Sequence, residues 1–260
     1  MPTDDELIDE LRHRGYFVAP LRPMGDIPDR DAYRPYFSGT EVFMPAFTSP
    51  LIDATVRRLV ELGKQTMVTQ PKQWILLRCL AQVARVPGEV WELGVYQGGT
   101  ALLLRNAMQE LGLAPAARLR LFDTFEGMPE TDPSLDLHHA GDFRDTSLEE
   151  VRRVVGEADF VSYHPGLVPE TLVGLEASRI RLAHIDLDIH ASITASLEFV
   201  YPRLSEGGAL VFDDYGVASC PGARRAVDEF FEARPETPID LPTGQALVFK
   251  LPVVVADPAQ

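Results

Sequence analysis

The sequence has little cysteine, no long apolar run and a shortage of positive charge, and each shortage excludes something. Only two cysteines, Cys79 and Cys220, stand in 260 residues, too few for a disulfide framework. Cys79 falls in an apolar helical pattern and reads as a small buried hydrophobe. No stretch approaches the roughly 18 apolar residues that a membrane helix needs. The acidic opening MPTDDELIDE has no apolar signal core, so the expected location is the cytoplasm. Lys and Arg number 24 against 39 Asp and Glu, a net charge of −15. A surface of that sign repels phosphate backbones and anionic membranes, so nucleic acid and membrane are not expected partners. At 45 % hydrophobic and 24 % charged residues the chain has an ordinary globular composition, and it is long enough to bury a core without staples.

Texture divides the chain into three zones. Residues 1–50 mix prolines (Pro20, Pro23, Pro28, Pro35, Pro45, Pro50) with aromatics (Tyr16, Phe17, Tyr33, Tyr36, Phe37, Phe43, Phe47). Dense prolines forbid long helices, and the aromatics predict packing on a core, over a site or against another subunit, after a short helix near residues 4–14. From residue 51 onward, LIDATVRRLVELGKQT and a second segment after Pro71 carry apolar residues at helical spacing. From residue 89 short apolar runs (EVWELGV, ARLRLFD, DFVSYH, IRLAHIDLD, GGALVFDD, QALVFKL) alternate with amphipathic stretches near 100–111, 147–156, 168–176, 192–204 and 222–233. That alternation predicts a Rossmann-like α/β domain over residues 51–260, with a mostly parallel sheet and right-handed crossovers. The last run follows Pro242 and Gly244 and is expected to pair antiparallel at the sheet edge.

Several of these strands end in polar or acidic residues, and in open α/β sheets ligands bind at the carboxyl ends of the strands. The first strand runs through Glu92 into Gly94, Gly98 and Gly99, and then into a helix. Glycines let backbone approach a ligand closely, but the spacing is not the G-x-G-x-x-G of dinucleotide enzymes, which counts against a nicotinamide-dependent dehydrogenase. Glu92 would repel a pyrophosphate and suits a ligand with a cationic amino-acid head. Asp123 ends the next strand, where an acid accepts hydrogen bonds from ribose hydroxyls. A nucleoside joined to an amino acid is S-adenosylmethionine.

AHIDLDIH carries His184, Asp186, Asp188 and His190, and VFDDYG adds Asp213 and Asp214 at a later strand end. If the strand continues, His184, Asp186 and Asp188 share a face. Carboxylates brought this close repel one another until protonation, solvent or a metal relieves them. Oxygen ligands select a hard cation, with Mg²⁺ first and Mn²⁺ or Ca²⁺ behind it. Such an ion lowers the pKa of a substrate hydroxyl, and a carboxylate not holding the ion takes the proton. His184 reads as a structural strand histidine, with ligation the lesser alternative. His138 and His139 read as surface residues of a mobile segment. Arg224 or Arg225 of the helix GARRAVDEFF is an alternative contact to the site.

Together the motifs ELGVYQGGT, LFDTFEGMPE, GDFRDTSLEEVR, HIDLDIHASITASLEFVYPRLSEGG and FDDYG with GARRAVDEFF resemble the macrocin O-methyltransferase family, over roughly residues 50–250. The resemblance implies a class I S-adenosylmethionine-dependent methyltransferase fold and Mg²⁺-activated methylation of a sugar hydroxyl on an antibiotic or related natural product. It implies Asp186, Asp213 and Asp214 as metal ligands and Asp188 as general base. Glu92, Gly94, Gly98, Thr100 and Asp123 would line the cofactor site, with Asp142 at the adenosine end. It further implies a lid over about residues 125–146 and a homo-oligomer with N-terminal segments between subunits. His190 stands where members often have Tyr, and Gln97 where they often have Arg. The competing readings are a metal-independent methyltransferase, a dehydrogenase and a non-catalytic binding module.

Overall fold

The computed structural model describes residues 49–252. The expectations for residues 1–48 lie outside the described residues. Among the described residues are six helices: α1 Pro50–Glu61, α2 Gln70–Gln82, α3 Gly99–Glu110, α4 Leu148–Val155, α5 His190–Arg203 and α6 Pro221–Phe231. Seven strands accompany them: β1 Glu89–Leu93, β2 Leu119–Asp123, β3 Val161–Pro165, β4 Ile180–Ile185, β5 Leu204–Phe212, β6 Ile239–Asp240 and β7 Ala246–Phe249.

The strands form one sheet in the order β3-β2-β1-β4-β5-β7-β6. The first five are parallel, and β7 runs antiparallel to both β5 and β6. The antiparallel strand expected from QALVFKL is β7, and the two-residue β6 lies outside it. The helix expected over residues 168–176 is instead one 3-10 turn, Glu170–Leu172. Pro169 precedes it and Gly174, at φ 87°, breaks the chain just after it, so no room is left for a second turn.

Local sequence explains where the helices begin. Ser49 caps α1 by accepting a hydrogen bond from Leu51 N, and Pro50 holds the first turn. Ser147 caps α4, whose first turn carries Glu149 and Glu150 and whose last carries Arg152 and Arg153, matching the helix dipole at both ends. Helices α1 to α4 cover one face of the sheet through Leu59, Leu76, Leu80, Leu104, Met108 and Val151. Helices α5 and α6 cover the other through Ile193, Leu197, Val200, Ala226 and Val227. All six residues of β4 are buried, as expected for a central parallel strand covered on both sides.

The strand ends that form the site are drawn together by backbone. The ladder continues past the strands: Asp186 N donates to Leu93 O at 2.8 Å and Asp213 N to Ile185 O at 3.0 Å. Gly94 takes φ 90°, and a Cβ there would fall on the carbonyl oxygen of Asp186. Only glycine permits this approach of the first loop to the end of β4.

Candidate active site

A cavity of about 360 Å³ opens at the carboxyl ends of β1, β2, β4 and β5. Gly94, Asp123, Asp186, Asp188, Asp213 and Asp214 line it. The glycine loop forms one wall. Asp123 braces that loop: its Oδ2 accepts from Val95 N at 2.7 Å and Tyr96 N at 2.9 Å, and its Oδ1 accepts from Phe125 N at 2.7 Å. The acid read as a ribose acceptor thus also fixes the turn beside which a ribose would lie. Gly98, at φ 86°, starts α3, and a Cβ there would meet Val151 and Val155 of α4; its place in the fold is helix packing, away from the main cavity. Glu92 and Thr100 line a smaller void of about 30 Å³ behind the loop.

The acidic floor is a network rather than a free cluster. Lys72, from the first turn of α2, donates to Asp213 Oδ2 at 2.6 Å and to Asp213 O at 2.8 Å. Gln245, at the start of β7, donates to Asp213 Oδ1 at 2.9 Å. His184 is wholly buried between Glu92 Oε1 and Asp213 Oδ1, 3.4 Å from each. Burial alone would push the imidazole down, but the hydrogen bonds and charges of Asp213 and Glu92 outweigh it and raise its pKa to about 9. His184 is thus the buried partner of Asp213 and Glu92, and it groups with Asp186 and Asp213 closely enough for the three to share one ion. Burial raises the Asp213 carboxyl, yet His184 and Lys72 more than offset this and hold it below the usual carboxylate range. Burial would likewise lower the Lys72 ammonium, and Asp213, with Asp214 and Asp186 behind it, holds it above its ordinary value. Glu92 lies behind His184 with Oε2 unpartnered, and burial keeps its carboxyl above the ordinary range against the pull of His184.

The remaining carboxyls lack such support. Burial, then the charges of Asp213, Asp214 and Asp188, push Asp186 well above its ordinary value. Burial with Asp188 and Asp213 raises Asp214 to about 7, and Asp214 Oδ2 is buried without a hydrogen-bond partner. Strand β4 ends at Ile185, so Asp188 reaches the cavity through its own left-handed conformation (φ 59°), not through strand alternation. Burial raises its carboxyl, partly offset by His138 and by Cys220, whose thiol donates to Oδ1 at 3.4 Å. Five carboxyls line the cavity, and the four of its acidic floor have the Lys72 ammonium and the buried His184 to balance them. Oxygen donors in negative excess, one of them orphaned, fit a hard divalent cation held by Asp186, Asp213 and Asp214.

The irregular segment between β2 and α4, called the lid below, lines the cavity through Gly127, Met128, His138 and Phe143. Met128 N donates to Asp142 O at 2.7 Å, and Gly141 N donates to Met128 O at 2.8 Å, closing the segment on itself. Asp136 anchors it by accepting from His190 N at 2.9 Å, at a point where only the missing Cβ of Gly222 leaves room. His138, read from sequence as a surface residue, points inward and lines the cavity; His139 is exposed. Asp142, expected at the adenosine end of a cofactor, accepts from His139 N at 3.0 Å and pairs with His138 Nδ1 at 3.1 Å. His190 turns to Glu229 of α6, 2.9 Å away, and ties two helices together instead of contacting the cavity. Gln97 links the glycine loop to the lid's end through Asp145, at 3.0 Å. Arg224 and Arg225 pair along α6 with Asp228 and Glu229 and do not face the site.

Lys72 and Gln245 were not singled out from the sequence. Lys72 precedes Leu76 by one helical turn, on the buried stripe of α2 with Cys79 and Leu80. A lysine on an apolar stripe was the available signal. Nothing in the sequence around Gln245 distinguishes it.

The profile described as Macrocin-O-methyltransferase (TylF) matches residues 60–243. The chain belongs to the macrocin O-methyltransferase family. A relative from Streptomyces olivaceus, 8-demethyl-8-(2,3-dimethoxy-alpha-L-rhamnosyl)-tetracenomycin-C 4'-O-methyltransferase, is 35 % identical over 149 residues, 53 % of this chain and 57 % of that protein. Demethyldecarbamoylnovobiocin O-methyltransferase of Streptomyces niveus is 29 % identical over 178 residues, 64 % of this chain and 67 % of that protein. The chain thus spans little more than half the length of the first relative. Among solved structures, the O-methyltransferase NovP superposes with a TM-score of 0.67 at 22 % identity, over 77 % of this chain and 98 % of that one. The calicheamicin methyltransferase CalS11 gives 0.60 at 22 % identity, over 78 % and 93 %. These superpositions establish the class I methyltransferase fold for this member of the macrocin O-methyltransferase family. Of the family motifs quoted from the sequence, ELGVYQGGT, LFDTFEGMPE, GDFRDTSLEEVR, the HIDLDIHAS stretch and FDDYG each place residues on the cavity wall, whereas GARRAVDEFF places none.

Proposed function

We propose that the protein is an S-adenosylmethionine-dependent O-methyltransferase that methylates a hydroxyl of a sugar or a sugar-bearing natural product, with Mg²⁺ as activator. The observation that carries the reading is the joining of the glycine loop and the acidic floor in one lidded cavity. Asp123 and the loop present hydrogen-bonding edges for a nucleoside, while the carboxylate excess faces where a sulfonium and a metal would both add positive charge. The name of the first relative carries a rhamnosyl group, and the acidic cavity suits a neutral polyhydroxylated acceptor.

Asp186, Asp213 and Asp214 would hold the cation, which when bound supplies Lewis-acid polarisation of the acceptor hydroxyl. Lys72, His184 and Gln245 keep Asp213 ionised and fixed in one rotamer. Asp188 stands at the cavity edge with a raised carboxyl, in reach of the acceptor, and takes the hydroxyl proton as the oxygen forms its bond to the methyl carbon. The carbon–sulfur bond breaks in the same step and S-adenosylhomocysteine leaves. The lid excludes water while charge moves. A homo-oligomeric, cytoplasmic enzyme is part of the same proposal.

A second reading, a metal-independent methyltransferase, draws on one observation: the Lys72 ammonium already rests on Asp213. Calorimetric titration with S-adenosylhomocysteine, with Mg²⁺ and with chelator, followed by turnover on a glycosylated acceptor, tests both. Binding with turnover lost on chelation supports the metal-dependent enzyme. Turnover unchanged by chelation selects the second reading, and no binding in either condition refutes both.

A further inference from the structure

We propose that His138, Asp188 and Cys220 form a cation site separate from the Asp186–Asp213–Asp214 floor, one that takes a borderline, thiophilic divalent ion such as Zn²⁺ and ties the lid to the core. The three side chains come from three elements: His138 from the lid, Asp188 from the turn after β4, and Cys220 from the residue before α6. Cys220 Sγ is 3.6 Å from His138 Nε2 and 3.4 Å from Asp188 Oδ1, and His138 Nε2 is 3.8 Å from Asp188 Oδ1. Tetrahedral zinc with its usual bond lengths sets sulfur about 3.5 Å from each N or O ligand, and N about 3.3 Å from O. The two sulfur distances match closely and the N–O distance is about half an ångström longer than in the zinc triangle; all three residues line the cavity.

The surroundings match a ligating histidine. Asp142 pairs with His138 Nδ1 at 3.1 Å, the carboxylate–histidine arrangement that fixes the ring and turns the other nitrogen toward a metal. With Nδ1–H donating to Asp142, Nε2 faces the oxygen of Asp188, and positive charge belongs between them, from a proton on Nε2 or from a metal ion in its place. The Cys220 thiol donates to Asp188 and sets its sulfur beside Nε2. The donor set of nitrogen, sulfur and oxygen discriminates against Mg²⁺, which prefers oxygen. Burial, with Asp214 and Asp188, holds the thiol protonated when no cation is present. On binding, the sulfur–metal bond forms and the thiol proton leaves to solvent, so affinity rises with pH.

Such an ion removes Asp188 from proton transfer and holds the lid shut. This consequence, inhibition by Zn²⁺ in the presence of Mg²⁺, rests on the methyltransferase reading; the binding itself does not.

Cobalt is the probe. The full chain, reduced and saturated with Mg²⁺, is titrated with Co²⁺ and followed by absorption. The expected result is one equivalent bound with the intense visible bands of tetrahedral Co²⁺ and a near-ultraviolet thiolate-to-cobalt band. Cys220→Ser should abolish the thiolate band, Cys79→Ser should leave it, and Asp142→Asn should weaken Co²⁺ binding about 10- to 100-fold. If Cys220→Ser does not fold, His138→Ala, in the irregular lid, must lose the tetrahedral bands instead. Only the weak spectrum of octahedral Co²⁺, or a thiolate band that survives Cys220→Ser, overturns the proposal. S-adenosylhomocysteine binding by calorimetry needs none of these ligands, so failure here and failure of the methyltransferase reading remain distinct.

Discussion

Lys72→Met isolates the electrostatic core of the site. Methionine keeps most of the aliphatic stem that packs along α2 and removes only the ammonium. The wild-type pair is 2.6 Å long with side chains 10 % and 4 % exposed, so solvent cannot replace the lost partner. Removing one member of a buried ion pair costs about 3–5 kcal/mol, because the other charge stays buried without compensation. Here Asp213 keeps His184 and Gln245, so the expected loss lies at the lower end, about 3 kcal/mol. Urea unfolding at neutral pH in chelator measures it. In the double-mutant cycle with Asp213→Asn, the coupling should reach about 1–3 kcal/mol, the range for groups in one network.

The same variant carries a sign that a packing defect would not reproduce. With the ammonium gone, the floor is more negative, and Mg²⁺ should stabilise Lys72→Met by more than it stabilises the wild type. A stability change within about 0.5 kcal/mol, the range of ordinary surface substitutions, would show that the pair contributes nothing and refute this account. A loss of the expected size with no added response to Mg²⁺ would separate Lys72 from the cation site.

Further predictions follow from the same geometry. In the metal-free protein, Asp214 has its pKa raised to about 7 and His184 to about 9. Raised values add stability that is full below the unfolded pKa and is lost as pH rises through the folded one. Thermal unfolding in chelator should therefore fall from about pH 4 to 7 through Asp214 and from about 6.5 to 9 through His184, and Mg²⁺ should flatten the first window. Asp213, held low, works in the opposite sense, and its contribution should disappear only in acid. Asp188→Asn should lower kcat by about 10²- to 10⁴-fold, the worth of a general base, with Mg²⁺ binding retained by calorimetry; full activity would remove Asp188 from proton transfer. Asp123→Ala leaves three backbone N–H groups without their acceptor and should weaken S-adenosylhomocysteine binding at least tenfold, while unchanged affinity would make Asp123 a loop brace only. Gly94→Ala should fail to give soluble, folded protein, since its Cβ would meet the Asp186 carbonyl; a well-folded variant would contradict the close approach of the two strand ends.

The fold was legible because its signals are local and repeated. Each strand of the parallel sheet is a short apolar run closed by a polar residue, and each helix between them has a single buried stripe. What misled was one segment, residues 168–176, whose residues suit a helix while Pro169 and Gly174 bracket it too tightly. The acids of the site were legible for a related reason: in a parallel sheet, position along a strand fixes the end to which a residue belongs. Sequence therefore placed Asp123, Asp186, Asp213 and Asp214 on one rim without any knowledge of their contacts.

Contacts were the part that sequence could not supply. Lys72 reaches Asp213 across 141 positions and Gln245 across 32, and neither lies in a motif. The face-sharing argument for His184, Asp186 and Asp188 failed because β4 ends at Ile185, after which side-chain direction is set by single dihedrals, as at Asp188. His138 escaped notice for the opposite reason: an HH pair in an irregular segment has no periodicity from which inward and outward can be told. The two histidines nevertheless separate cleanly in space, since Asp142 takes the backbone N–H of His139 and the imidazole of His138 in one grip. That grip turns one ring toward Asp188 and leaves the other in solvent. The acid assigned by resemblance to the cofactor thus orients a lid histidine, and the lid reaches the same carboxylate to which proton transfer is expected.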